Sequence, residues 1–139
     1  MLEYNEYVGN LYGTPLRETK EKLAAGYDVI FEVDVHGAAN IRRLMPEAVT
    51  IMIMPPDFET LKKRLTDRGT DTPEAIEGRL HTALDEAQCL PDFDYFVVNE
   101  QGKIEECAAK IKGIIEAERM RCSRYPDTVN NFKKGISLI

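Results

Sequence analysis

The run 28–34 constrains the fold of this chain most, because Val29, Ile30, Phe31 and Val33 follow one another almost without a polar break. An antiparallel strand with one wet face alternates apolar and polar residues. A near-continuous run is instead the mark of a strand covered on both faces in a parallel sheet. Two further runs share this character: 48–54, which stops at Pro55-Pro56, and 95–99. Between and around them lie stretches with a helical period. Thr14-Pro15 supplies an N-cap and a first helical proline, and Gly26 lies just past that helix. A helix over 37–45 follows the first run. Asp57 caps the next, with Phe58, Leu61 and Leu65 on one stripe and Gly69 at its end. Thr72-Pro73 repeats the Thr-Pro start, and Ile76, Leu80, Leu84 and Ala87 mark the buried face. Ile104, Ala108, Ile111 and Ile115 define the last long helix. Residues 1–13 read as extended pieces with turns, and the pattern decays after Tyr125-Pro126. Strands alternating with helices predict one α/β domain with a parallel sheet over the 139 residues.

Composition narrows the function. At 43% hydrophobic and 30% charged residues the chain is of ordinary globular type. No apolar run approaches the roughly 20 residues that cross a bilayer, so no membrane association is expected. The first residues, Met-Leu-Glu-Tyr-Asn-Glu, carry no apolar signal core. Cys89, Cys107 and Cys122 are scattered, odd in number and without metal-ligand spacing, which fits a reducing, cytoplasmic compartment. The net charge is −6, yet residues 118–139 hold five cations against Glu118 and Asp127. A strongly acidic body argues against nucleic acid as a partner, and the basic end reads as a solvated tail.

Three constellations carry chemistry. Alternation along 28–34 places Ile30, Glu32 and Asp34 on one face, so two carboxylates share the carboxyl end of a buried strand, where open α/β sheets bind ligands. They call for a cation, an arginine or a hydrogen-bonding ligand; alternatively, Asp34 caps the following helix and Glu32 pairs with a structural arginine. Arg64 and Arg68 stand one turn apart before Gly69-Thr70-Asp71, and Arg79 follows on the next helix. Three guanidinium forks around one loop suit a polyphosphate; the other reading is solvated helix faces with Asp67 and Asp71 as partners. Glu3, Tyr12 and Thr14, set among turn glycines, offer a carboxylate and hydroxyls. A carboxylate can accept from N1–H and the 2-amino group of guanine, and a threonine hydroxyl can donate to its O6. These residues also suit a polar hairpin. His36 and His81 have no ligand spacing around them.

With these residues in order, the chain resembles the guanylate kinase family over about residues 2–121, through LEYNEYVGNLYGT (2–14), DVIFEVDVHGA (28–38), PPDFETLKKRLTDRGTDTPEAIEGRL (55–80) and DYFVVNE (94–100). The resemblance implies a three-layer, parallel-sheet P-loop kinase fold and the reaction ATP + GMP giving ADP + GDP, with Mg2+. It also implies roles. Glu3 and Thr14 match guanine-reading positions, and Tyr12 a tyrosine on the GMP phosphate. Glu32 and Asp34 match an acidic pair near the acceptor nucleotide and the magnesium–water shell. Arg64 and Arg68 match a lid that closes on ATP, Arg79 a phosphate-binding arginine, and Asn99 a residue close to the adenine. By this reading residues 1–14 belong to the GMP-binding region, 28–121 to core and lid, and 122–139 to a basic tail. His36 stands where the family usually has glutamine, and Glu100 where aspartate is common.

One departure matters more. The sequence contains no GxxxxGK[ST] phosphate loop; Gly102-Lys103 is followed by Ile104 and has Val97 in place of the first glycine. In that fold the strand bearing the loop lies between those matching 28–34 and 48–54. Two expectations follow: a truncated sheet that rearranges, swaps strands or self-associates through its open edges, and little or no kinase activity from this chain alone. The competing reading is a non-catalytic module, like the kinase-dead guanylate kinase domains of scaffold proteins, that binds GMP or a phosphorylated protein.

Overall fold

The structure, a computed structural model, describes residues 14–134. Helix α1 spans Thr14–Ala24 and ends at Gly26, whose φ of +91° lies in the left-handed region that favours glycine. Helix α2 is Val35–Leu44, starting two residues before the expected 37–45 because Asp34 caps it: its Oδ1 accepts the Gly37 amide at 2.8 Å. Gly37 lies so close over the preceding segment that an added Cβ would stand 2.8 Å from the Val33 Cβ. A side chain here would push the helix off the residues it covers.

Strands β1 (Ile51–Met54) and β2 (Tyr95–Val98) run parallel, with Ile51 opposite Tyr95 and Met54 opposite Val98. Both are shorter than the runs 48–54 and 95–99, and a side-chain clamp stands where the ladder begins. Asp94 Oδ2 accepts from the Thr50 amide at 2.8 Å and from its hydroxyl at 3.0 Å. Thr50 Oγ1 in turn accepts from Arg42 Nη2 at 2.9 Å and from the Asp94 amide at 3.1 Å. A slip of one residue would break all of these bonds, so the clamp sets the register.

Helix α3 (Phe58–Asp67) starts under Asp57, which accepts the Thr60 amide at 2.6 Å, and stops before Gly69 at φ +67°. Helix α4 (Pro73–Ala87) starts under Thr72, whose hydroxyl accepts the Ala75 amide at 3.2 Å. Helix α5 (Ile104–Glu118) packs on β2, while α3 packs on α4. Two stripes differ from expectation. Leu84 of α4 is half exposed, and the inward side of α5 runs from Cys107 through Ile111 and Ile115 to Glu118, leaving Ile104 and Ala108 in solvent. A short α6 (Thr128–Lys133), with Phe132 exposed, follows where no helix was expected.

The largest departure is the run 28–34, which joins no ladder; among the described residues the sheet has only β1 and β2. Its side chains still alternate as in a strand. Val29, Phe31 and Val33 are half-buried, and Ile30, Glu32 and Asp34 exposed. The physical reason is the lack of a neighbouring edge: a groove, not a strand, separates it from β1. The architecture is therefore helix-rich α/β around a small parallel sheet. Its core is thin. The buried apolar residues among those described are Ala38, Met45, Met52, Leu65, Leu80, Val97 and Cys107, and no large side chain is fully enclosed.

Candidate functional site

The Asn99 amide donates to the Met54 carbonyl at 2.8 Å, carrying the pairing one residue past β2. Arg64, on α3, reaches this carboxyl edge of the sheet and donates from Nη2 to the Asn99 carbonyl at 3.0 Å. Its Nε is buried and has no hydrogen-bond partner. Arg68, one turn on and exposed, closes the same helix.

Across the loop of Gly69, Arg79 on α4 stands with Nη1 3.5 Å from Asp71 Oδ2. That oxygen is also buried and makes no hydrogen bond. The pair is close enough for charge attraction and too long for a good hydrogen bond. A buried donor on Arg64 and a buried acceptor on Asp71 thus flank one glycine-hinged loop. Unmet polar groups cost about 1–3 kcal/mol each, so they mark a place where further partners would be accommodated at a gain. The sequence pointed to these arginines, but it cast Asp71 as a surface partner; in the fold its side chain is largely enclosed.

Glu32 and Asp34 do share one face, the exposed one. Asp34 serves as the α2 cap, as one of the two sequence readings had it, and Glu32 makes no ion pair among the described residues. Glu3 and Tyr12 lie outside the described residues, as does the side chain of Thr14. No group of three His, Cys, Asp or Glu residues able to hold a metal occurs among the described residues. No helix among them is long and apolar enough to cross a membrane.

A second polar centre went unforeseen. Glu118, buried at the end of α5, accepts from the Tyr95 hydroxyl at 2.6 Å, from Arg121 Nη2 at 2.7 Å and Nε at 2.8 Å, and from Arg124 Nη2 at 2.9 Å. The hydrogen bonds from Arg121, then Tyr95 and Arg124, hold its carboxyl well below the usual range. Arg119 pairs with Asp28, and the Tyr125 hydroxyl donates to the Arg119 carbonyl. The basic end is therefore tied down as far as Tyr125 and not a free tail from residue 118. The signal was in the sequence: an acid on an apolar helical stripe, with arginines three and six residues later.

These features define a class first: an α/β domain with Arg64 at the carboxyl edge of its parallel sheet and Arg79 beside the next loop. The guanylate kinase family model matches residues 1–118. A guanylate kinase of Listeria innocua is 45% identical over 136 residues, covering 98% of this chain and 64% of the relative. One from Lactobacillus delbrueckii subsp. bulgaricus is 47% identical over 134 residues, covering 96% and 65%. One from Streptococcus agalactiae is 44% identical over 141, covering 99% and 66%. The chain belongs to the guanylate kinase family, and it spans just under two thirds of the length of these relatives.

Proposed function

We infer that this chain is the guanine-reading, acidic-pair and lid portion of a guanylate kinase, whose whole reaction moves the γ-phosphoryl group of ATP to GMP. The fold implied is the three-layer P-loop kinase sheet with one strand position vacant. The observation that carries the reading is the loop between α3 and α4. Arg64 there is anchored on the Asn99 carbonyl with a spare buried Nε, and Arg79 is held loosely by Asp71. Phosphate oxygens would give both guanidinium groups the acceptors they lack. Arg68, free in solvent, supplies the third positive charge. Glu3 and Thr14 would read the guanine and Tyr12 the GMP phosphate, with Asn99 beside the adenine.

For Mg2+, the exposed carboxylates of Glu32 and Asp34 suit a cation that keeps most of its waters and takes its remaining ligands from phosphates. The ion would neutralise charge between the phosphates, and these two residues would hold its waters. No phosphate loop or its lysine is encoded in the sequence. Positioning and neutralisation do nearly all the work in phosphoryl transfer, so this chain alone binds nucleotide without appreciable turnover. It acts in the cytoplasm, and its open strand edges favour self-association when nothing else covers them.

Calorimetry tests the reading. GMP is expected to bind saturably and AMP at least about tenfold more weakly, because the wrong base leaves buried polar groups unpaired. Equal affinity for the two, or binding of a phosphopeptide in preference to GMP, would overturn it.

A further inference from the structure

Asp71 and Arg79 meet beside the loop between α3 and α4 in a way that stability alone does not account for. The Asp71 side chain is 17% exposed, and its Oδ2 is buried without a hydrogen bond. The Arg79 side chain is 50% exposed, with Nη1 3.5 Å from that oxygen, and Asp71 is its one charged partner among the described residues. Keeping a carboxylate from water without hydrogen bonds is costly, and an ion pair with a half-exposed partner returns little. The place of Arg79 is unusual as well. It lies on the second turn of α4, where side chains lean back toward the helix start, so its guanidinium comes to the N-terminal end of the helix. The helix dipole disfavours a cation there. Asp71, just before the Thr72 cap, is the group that offsets this repulsion.

The same geometry suits an arginine held ready for an anion. At 3.5 Å the attraction fixes where the guanidinium sits without engaging its N–H groups in a good hydrogen bond, so they stay free to donate. An arginine ordered before its ligand arrives has already given up the rotamer freedom that binding would otherwise remove. We propose that Asp71 is a positioning residue, which holds Arg79 at the α3–α4 loop for the phosphates of a nucleotide at the expense of the stability of the fold. This role rests on the loop's being a phosphate site, and it names the residue that organises that site before any ligand is bound. Asp71 touches no phosphate itself; it acts through Arg79.

The test compares this chain with Asp71→Asn by thermal melting, by calorimetry with inorganic tripolyphosphate, and by NMR relaxation of the arginine Nε–H groups. In the ligand-free parent, Arg79 Nε is expected to be more ordered than that of the exposed Arg68. The variant is expected to lose this order and to bind tripolyphosphate about tenfold more weakly, the effect of having to immobilise one long side chain on binding. Its melting temperature is expected to be unchanged or higher, because an amide is cheaper to bury than a carboxylate. A melting temperature that falls, or a variant that does not fold, would make Asp71 structural and overturn the proposal. Unchanged tripolyphosphate binding does the same, and tighter binding would mark Asp71 as a competitor of the phosphates. Equal order at Arg79 and Arg68 in the parent, or a parent that does not bind tripolyphosphate, also overturns it. GMP is titrated into the parent separately. Binding of tripolyphosphate without GMP removes the guanine reading and leaves the role of Asp71 standing; binding of GMP without tripolyphosphate does the reverse.

Discussion

Glu118 shows how much one residue can hold. Its carboxylate joins β2 through Tyr95 and the chain end through Arg121 and Arg124. Hydrogen bonds to charged groups contribute about 1.5–3 kcal/mol, so Glu118→Gln is expected to lose about 2 kcal/mol in a urea titration at pH 7. The pH dependence follows from the direction of the shift. The unfolded carboxyl protonates near its ordinary value of 4.5 and the folded one well below it. Stability from this group is therefore complete above that value and falls as acid protonates the folded form. The variant is expected to show a flatter acid limb below about pH 4.5; an unchanged limb would show that Glu118 is not the group responsible. The placing of Arg64 and Arg68 one turn apart was legible because spacing along a helix fixes which side chains neighbour each other. Asp71 was not, since its enclosure depends on how α3 and α4 meet, and no local pattern records that.

Helix starts are the elements the sequence declares most plainly. Asp34, Asp57 and Thr72 each bond a backbone amide three residues on, a contact fixed by neighbours along the chain. Strand ends are less legible because pairing is a property of two segments. The runs 48–54 and 95–99 gave the right strands, but only Ile51–Met54 and Tyr95–Val98 form the ladder. The Thr50–Asp94 clamp spans 44 residues of sequence and left no local trace. Asp94→Ala removes the acceptor of a buried threonine's amide and hydroxyl. It is expected to cost about 2–3 kcal/mol by thermal or urea unfolding and to speed amide exchange across β1. A loss below about 0.5 kcal/mol, the range of ordinary surface substitutions, would show that the ladder alone sets the register. The run 28–34 is the instructive failure. Its composition reads as a strand buried on both faces, and its side chains alternate accordingly, yet a ladder requires an edge beside it.

For the whole molecule, a thin core and an apolar groove between the run 28–33 and β1 occur together among the described residues, and the sequence contains no phosphate-loop motif. On the proposed reading the chain carries the guanine-reading and lid parts of a guanylate kinase, and it spans just under two thirds of the length of the relatives it matches. Family membership was readable from four segments in register, because each keeps its own local chemistry. The open groove is a property of the assembled fold and could be anticipated only through the strand order that the family implies. Separation of binding from turnover is the central consequence. A coupled assay for ADP formation from ATP and GMP with Mg2+, on this chain alone at micromolar concentration, tests it most directly. The expected result is no ADP above the background of a protein-free control. Turnover of about 1 s−1, the lower end of the kinase range, would contradict the account.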